Sequence, residues 1–173
     1  MQSVYLLTGR PGTGKTSLIK QVVTDLKVRA GGFYTEEIRS HGERLGFKLV
    51  TLDGKAATLA HIDFKSAQRV SRYGVDIEAL ERVGVVALKQ AATGCELVVV
   101  DEIGKMELLS SDFRETIRQI IDSGKRVLGT IMLSSNPWAD EIKHQAQVKL
   151  VTVTRENHQE ILAGLRLWLS DKE

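Results

Sequence analysis

The sequence predicts an α/β fold, a mainly parallel sheet with helices on both faces and an inserted β-hairpin. Three observations carry that prediction. Short apolar runs, "VYLL", "LVVV", "RVLGTIML" and "VKLVTVT", recur along the chain, and strands apolar on both faces belong to a sheet covered on both sides. Segments with apolar residues at helical spacing lie between them. A glycine-rich octapeptide joins the first of these runs to the first of these segments. At 173 residues and 42% hydrophobic, the chain is long enough for one core and too short for two, so residues 1–173 are expected to form one domain.

Residues 4–7 read as a buried strand because glycine and proline follow immediately. Residues 15–28 then read as a helix, with Leu18, Ile19, Val22, Val23 and Leu26 on one side. "GGFYTEEIRS" and "RLGFKLVTL" flank "HGE", the pattern of a hairpin, and Asp53-Gly54 marks the next turn. The stretch 55–75 fits no single template. Residues 76–92 read as a helix capped by Asp76 and closed by Gly94, despite the internal Gly84. Ser110 or Ser111 caps a helix through "FRETIRQIID" that ends at Gly124, and Pro137 opens another. The chain finishes with a strand, "VKLVTVT", and an amphipathic helix that places Trp168 in the core beside Ile161, Leu162, Leu165 and Leu169.

Composition removes several classes of function. Lys plus Arg number 24 against 22 Asp plus Glu, a formal +2, so the charge does not point to nucleic acid as a partner. Cys95 is the only cysteine, which rules out an intramolecular disulfide or a cysteine zinc cage and suits a reducing cytosol. No apolar run approaches the ~18 residues of a membrane span and no signal segment is evident, so a soluble, unprocessed, cytoplasmic protein is expected. The histidines at 41, 61, 144 and 158 show no metal-ligand spacing.

"GRPGTGKT" at residues 9–16 matches G-x-x-x-x-G-K-[ST], and its place between strand and helix is the context that confirms a phosphate-binding P-loop. Gly9, Gly12 and Gly14 allow a tight loop through Arg10, Pro11 and Thr13, in which the backbone N–H groups, absent only at Pro11, turn inward around an oxyanion. The positive end of the following helix adds to the attraction. Lys15 is expected on the β- and γ-phosphates of a nucleoside triphosphate, and the Thr16 hydroxyl on Mg²⁺.

"LVVVDEIGKMEL" at residues 97–108 ends a buried strand on two carboxylates. In P-loop proteins such an Asp holds the Mg²⁺, so Asp101 has its cationic partner in the metal on the nucleotide. Glu102 is then placed to orient or deprotonate a water in line with the γ-phosphate. A Glu after the metal Asp also favours the P-loop branch in which another strand lies between these two. "RVLGT" would be that strand, with Thr130 at its end near the γ-phosphate. Lys105 would add positive charge at the phosphates.

With these segments, "GGFYTEEIRSHGERLGF", "LGTI" and "VTVTREN" read together, the sequence resembles the THEP1 family of nucleoside-triphosphatases, in order over nearly the whole chain. The resemblance implies a RecA-like P-loop NTPase fold and Mg²⁺-dependent release of phosphate from several nucleoside triphosphates with little discrimination of the base. It implies too that residues 9–16 and "DEIGK", including Ile103 and Gly104, line the nucleotide site. One departure is His158, where the family continues "EN" with Arg. The hairpin charges Glu36, Glu37, Arg39 and Arg44 read first as a solvated face that guards a sheet edge, and second as the source of an arginine finger, Arg39 or Arg44. Tyr73 is a packing residue or a base contact.

Two other functions compete with hydrolysis. One is a small nucleoside or nucleotide kinase, although "SSNPWADEIKHQAQ" lacks the arginines of a phosphate lid. The other is a nucleotide-switched binding module that offers residues 32–52 to a protein partner.

Overall fold

The computed structural model describes residues 2–171. Strand β1 (Val4–Thr8) is buried at every position. Val4 and Leu6 join one core, and Tyr5 and Leu7 join the other, as a period of two requires. Each large apolar side chain so buried contributes about 1.5–3 kcal/mol, which holds the end of β1, and the loop after it, in place. Helix α1 (Lys15–Leu26) buries Leu18, Ile19 and Val22. It stops two residues earlier than its periodicity suggests, because Lys27 turns left-handed at φ +50°.

Strands β2 (Ala30–Ser40) and β3 (Glu43–Thr51) pair antiparallel. His41 and Gly42 both have positive φ in the connecting turn, the geometry that matches strand twist in a two-residue hairpin. The stretch that fits no template from sequence becomes β4 (Ala56–His61), β5 (Arg69–Val70) and β6 (Tyr73–Val75), all antiparallel. These strands extend the hairpin, so β2 and β3 lie inside the sheet. Edge protection is therefore not the role of Glu36, Glu37, Arg39 and Arg44.

Asp76 accepts a hydrogen bond from the Ala79 N–H at 2.9 Å and starts α2 (Ile77–Ala79), which runs through a π-helical stretch (Leu80–Val85) into α3 (Val86–Gly94). A methyl group on Gly84 would stand 3.2 Å from side-chain carbons of both Leu49 and Leu80, so the internal glycine lets this helix lie close against the sheet. β7 (Leu97–Ile103) follows. Ser110 caps α4 (Ser111–Asp122) by accepting from the Phe113 N–H at 3.0 Å. Beyond β8 (Val127–Ile131), Asn136 caps α5 (Pro137–Lys143), and β9 (Val148–Thr152) leads to α6 (His158–Ser170). Trp168 is buried in α6, donating from Nε1 to the Gln2 carbonyl at 2.8 Å with its ring edge-on to Tyr5.

The nine strands form one sheet in the order β5-β6-β4-β3-β2-β7-β8-β1-β9. The five from β2 to β9 are parallel and the rest antiparallel, so the expected mainly parallel α/β sheet carries a larger antiparallel insertion than one hairpin. β8 lies between β7 and β1, the intervening strand that the Asp-Glu pair suggested. Helices α1 and α6 cover one face, and α3, α4 and α5 the other. The carboxyl ends of β1, β8 and β7 therefore meet at one end of the parallel sheet, where ligands of such sheets bind. Among the described residues no helix is long and apolar enough to cross a membrane.

Candidate active site

The loop after β1 wraps a concave surface. Gly9, Gly12 and Gly14 have φ of +148°, +79° and +89°, values that side chains disfavour and that turn successive N–H groups to one side. No side chain caps α1, and Gly14, Lys15, Thr16 and Ser17 line the cleft, so free N–H groups at the helix start face whatever occupies it. Lys15 Nζ folds back to donate to the Gly9 and Arg10 carbonyls at 3.0 Å each. Thr13 Oγ1 donates to the Arg10 carbonyl at 2.9 Å and closes the turn through Pro11. The Arg10 side chain is exposed.

His158, the first residue of α6, reaches this loop across the fold. Its Nε2 lies 2.5 Å from the Thr13 carbonyl oxygen, and its ring lies so close to Gly14 that a methyl there would stand 2.9 Å from Cε1. The turn before α6 aims it. Asn157 accepts from the Thr154 N–H at 2.8 Å and donates to the Thr152 carbonyl at 2.9 Å, and the Val153 N–H donates to the Thr8 carbonyl at 2.7 Å. A peptide's C=O and N–H point in opposite directions. Holding the Thr13 carbonyl towards α6 therefore turns the Gly14 N–H towards the cleft.

Asp101 sits where β7 leaves its ladder, at a register shift between Val100 and Ile103. It is 2% exposed and both oxygens are held: Thr16 Oγ1 donates to Oδ2 at 2.6 Å, and Thr130 Oγ1 donates to Oδ1 at 2.6 Å. Thr35 Oγ1 donates to its carbonyl at 2.7 Å. A helix and the neighbouring strand β8 thus fix the carboxylate, and β2 holds the Asp101 backbone. Thr130 is wholly buried; its hydroxyl donates to Asp101, and it is not among the residues that line the cleft. Ile103 is also in the core and is not among the residues that line the cleft. Glu102 and Lys105 line the cleft, and Gly104 leaves room for Glu102, whose Oε1 a methyl on Gly104 would overlap.

Burial pushes the Asp101 carboxyl up, against the pull of the Thr130 and Thr16 hydroxyls. Burial also raises Glu102, and the neighbouring Asp101 raises it further while Lys15 opposes. A third carboxyl, Glu107, is 4% exposed and is raised most, by burial and then by Glu102. Nothing along the chain signals it, since a glutamate beside a short helical turn usually points to solvent. Lys15 opposes the rise at both Asp101 and Glu102, and three carboxyls, Asp101, Glu102 and Glu107, line the cleft beside it, a charge that a divalent ion would relieve. Among the described residues no cluster of three His, Cys, Asp or Glu suits a metal. One carboxylate beside one hydroxyl suits Mg²⁺, which takes few protein ligands and completes its shell with water and phosphate. Thr16 and Asp101 fit that description.

Glu107 yields a pH test. Its folded pKa lies above the unfolded value, so the stability it supports is complete below the ordinary glutamate range near 4.3 and is lost as pH rises through the folded value. Glu107→Gln removes that loss. Thermal melts are expected to show the variant a few degrees more stable than the parent at pH 8 and nearly equal at pH 5; equal melting at both would place Glu107 in contact with water.

Arg44 lines the cleft but is engaged by Glu37 and by the Tyr73 hydroxyl, at 3.3 and 3.0 Å. Arg39 pairs with Glu37 at the surface, away from the cleft lining. Tyr73 is buried against Phe47, a packing role and not a base contact.

A family model described as NTPase matches residues 4–165. The chain is similar to the nucleoside-triphosphatase THEP1 of Thermotoga maritima, 47% identical over 157 residues that cover 91% of this chain and 90% of that protein. THEP1 of Methanocaldococcus jannaschii is 37% identical over 171 residues, 92% and 98% of the two chains. The crystal structure of THEP1 from the hyperthermophile Aquifex aeolicus superposes with a TM-score of 0.89 at 35% identity, over 97% of this chain and 99% of that one.

Proposed function

This chain belongs to the THEP1 family of nucleoside-triphosphatases, and from that premise we propose that it hydrolyses several nucleoside 5′-triphosphates to diphosphate and phosphate in a Mg²⁺-dependent reaction. The observation that carries the reading is the Asp101 carboxylate, fixed between the hydroxyls of Thr16 and Thr130 with Glu102 beside it on the cleft. Thr16 and Asp101 would hold the metal, which when bound neutralises charge on the transferred phosphoryl group.

The other roles fall to this chain's own groups. The backbone N–H groups of residues 9–16, all but Pro11, cradle the phosphate chain. Lys15 exchanges its two carbonyl partners for β- and γ-oxygens, and Lys105 adds charge at the far side. Glu102 orients a water in line with the γ-phosphorus and takes its proton, a function helped by its raised pKa. Thr130 is a positioning residue for Asp101. Breadth of substrate is supported by the relatives, whose names specify a nucleoside-triphosphatase and no particular base.

Phosphate release from ATP, GTP, CTP and UTP, with and without Mg²⁺ and with no acceptor added, tests the reading. Comparable turnover on all four that disappears with chelator is expected. Turnover confined to one base would overturn the breadth, and turnover indifferent to chelator would overturn the metal.

His158 should act on binding. His158→Phe keeps a ring against Gly14 and loses the donor, which is worth about 1 kcal/mol, so ATP affinity is expected to fall roughly fivefold by titration with a fluorescent analogue. Unchanged affinity would mean that the loop orients its Gly14 N–H unaided.

A further inference from the structure

Hydrolysis uses Asp101 and Glu102 and leaves Glu107, the third carboxyl of the same segment, without a task. Glu107 is buried, yet it lines the cleft with Glu102 and Lys105. Among the described residues no side chain donates to it. Its hydrogen bonds come from two backbone N–H groups, its own and that of Gly104, while burial and then the neighbouring Glu102 disfavour a charge on it. An apolar side chain of similar size would avoid the cost of burying a carboxyl there, so packing alone does not account for a glutamate.

The Gly104 N–H that Glu107 binds belongs to a peptide against which the general base rests. The Leu108 N–H donates to the Gly104 carbonyl at 3.0 Å and closes one turn over residues 104–108. Glu107, three residues after the start of that turn, reaches back to its first N–H as a glutamate does in a capping box. The other side of the same peptide is held as well, since the Ile103 carbonyl accepts from the Met132 N–H at 3.0 Å. The peptide between Ile103 and Gly104 is thus fixed from the end of β8 on one side and from Glu107 on the other. Against it lies the Glu102 carboxylate, so close to Gly104 that a methyl there would overlap Oε1.

We propose that Glu107 is a positioning residue for hydrolysis: its carboxyl holds the Gly104 peptide, and through that peptide it keeps the Glu102 carboxylate in line with the γ-phosphorus. The proposal rests on the nucleoside-triphosphatase reading of the same cleft, in which Glu102 takes the proton of the attacking water. Because Glu107 acts through Glu102, its contribution belongs to the chemical step and not to nucleotide binding.

Variants of the full chain test it, by steady-state phosphate release from ATP with Mg²⁺ and by titration with a non-hydrolysable analogue. Glu107→Met, similar in length but unable to accept from Gly104, is expected to lower kcat by about 10–10²-fold, the cost of a slightly displaced reacting group, with KM and analogue affinity within about threefold. Glu107→Gln keeps an acceptor and is expected to restore kcat to within about threefold of the parent. Gly104→Ala leaves Glu107 in place but displaces the tip of Glu102, so it should lower kcat as Glu107→Met does, and it decides the matter if Glu107→Met fails to fold. In a Glu102→Gln background, Glu107→Met should cost nothing further, since residues that act as a unit are not additive. Parental kcat in Glu107→Met or in Gly104→Ala, equal losses in the Met and Gln variants, lost analogue affinity, or a further loss in the Glu102→Gln background overturns the positioning role and leaves the hydrolase reading intact. No phosphate release by the parent overturns the hydrolase reading instead.

Discussion

Replacing Glu102 by Gln is expected to lower kcat for ATP and GTP by about 10²–10⁴-fold, the usual worth of a positioned general base, while nucleotide affinity stays within about threefold. The amide keeps the volume and the hydrogen-bonding reach of the carboxylate but cannot take a proton. Glu102 lies between Asp101, which raises its pKa, and Lys15, which restrains the rise, so in the parent its affinity for a proton lies closer to that of a working base than an exposed glutamate's does. Steady-state phosphate release gives the first quantity and analogue titration the second. Turnover at the parental level would remove Glu102 from the chemistry, and lost affinity would make it a binding group.

Asp101→Asn is expected to abolish turnover, by about 10³-fold or more, and yet not to lower thermal stability. A carboxylate buried this deeply carries a desolvation cost, visible as its raised pKa. Asparagine removes the charge and keeps partners for both threonines: Thr16 or Thr130 goes on donating, and the other hydroxyl rotates to accept from the amide. Because the folded pKa of Asp101 lies above the unfolded value, the parent loses stability as pH rises between the two, and the variant's advantage should be largest at neutral to alkaline pH. Magnesium with a non-hydrolysable triphosphate should raise the melting temperature of the parent and have much less effect on the variant, since ligand stabilisation follows affinity. A variant that melts several degrees below the parent at every pH would make Asp101 a structural residue.

The two expectations differ in how far they were legible beforehand. Asp101, Glu102 and the loop of residues 9–16 can be read from sequence because each signal is local: glycines where the backbone turns, a lysine and a threonine at the helix start, and charges that interrupt a buried strand. The hydrogen bond from Thr130 to Asp101 leaves no mark in the sequence, because a hydroxyl at a strand end meets the cleft or a neighbouring strand depending on what flanks it. The stretch 55–75 resisted reading since strands of two to six residues are too short to show a period. The same gap hid the fact that β2 and β3 are interior, and so made their charges look like edge protection.

By itself, the sequence determined the alternation of strands and helices, the phosphate loop and the acidic strand end, because backbone conformation and burial leave periodic or compositional marks within a few residues. Tertiary structure alone decided that Thr16 meets Asp101 across 85 positions and His158 meets Thr13 across 145, and that Glu107 is buried beside Glu102. Those features follow from strand order and close packing, which bring together residues whose separation along the chain carries no trace of their contact.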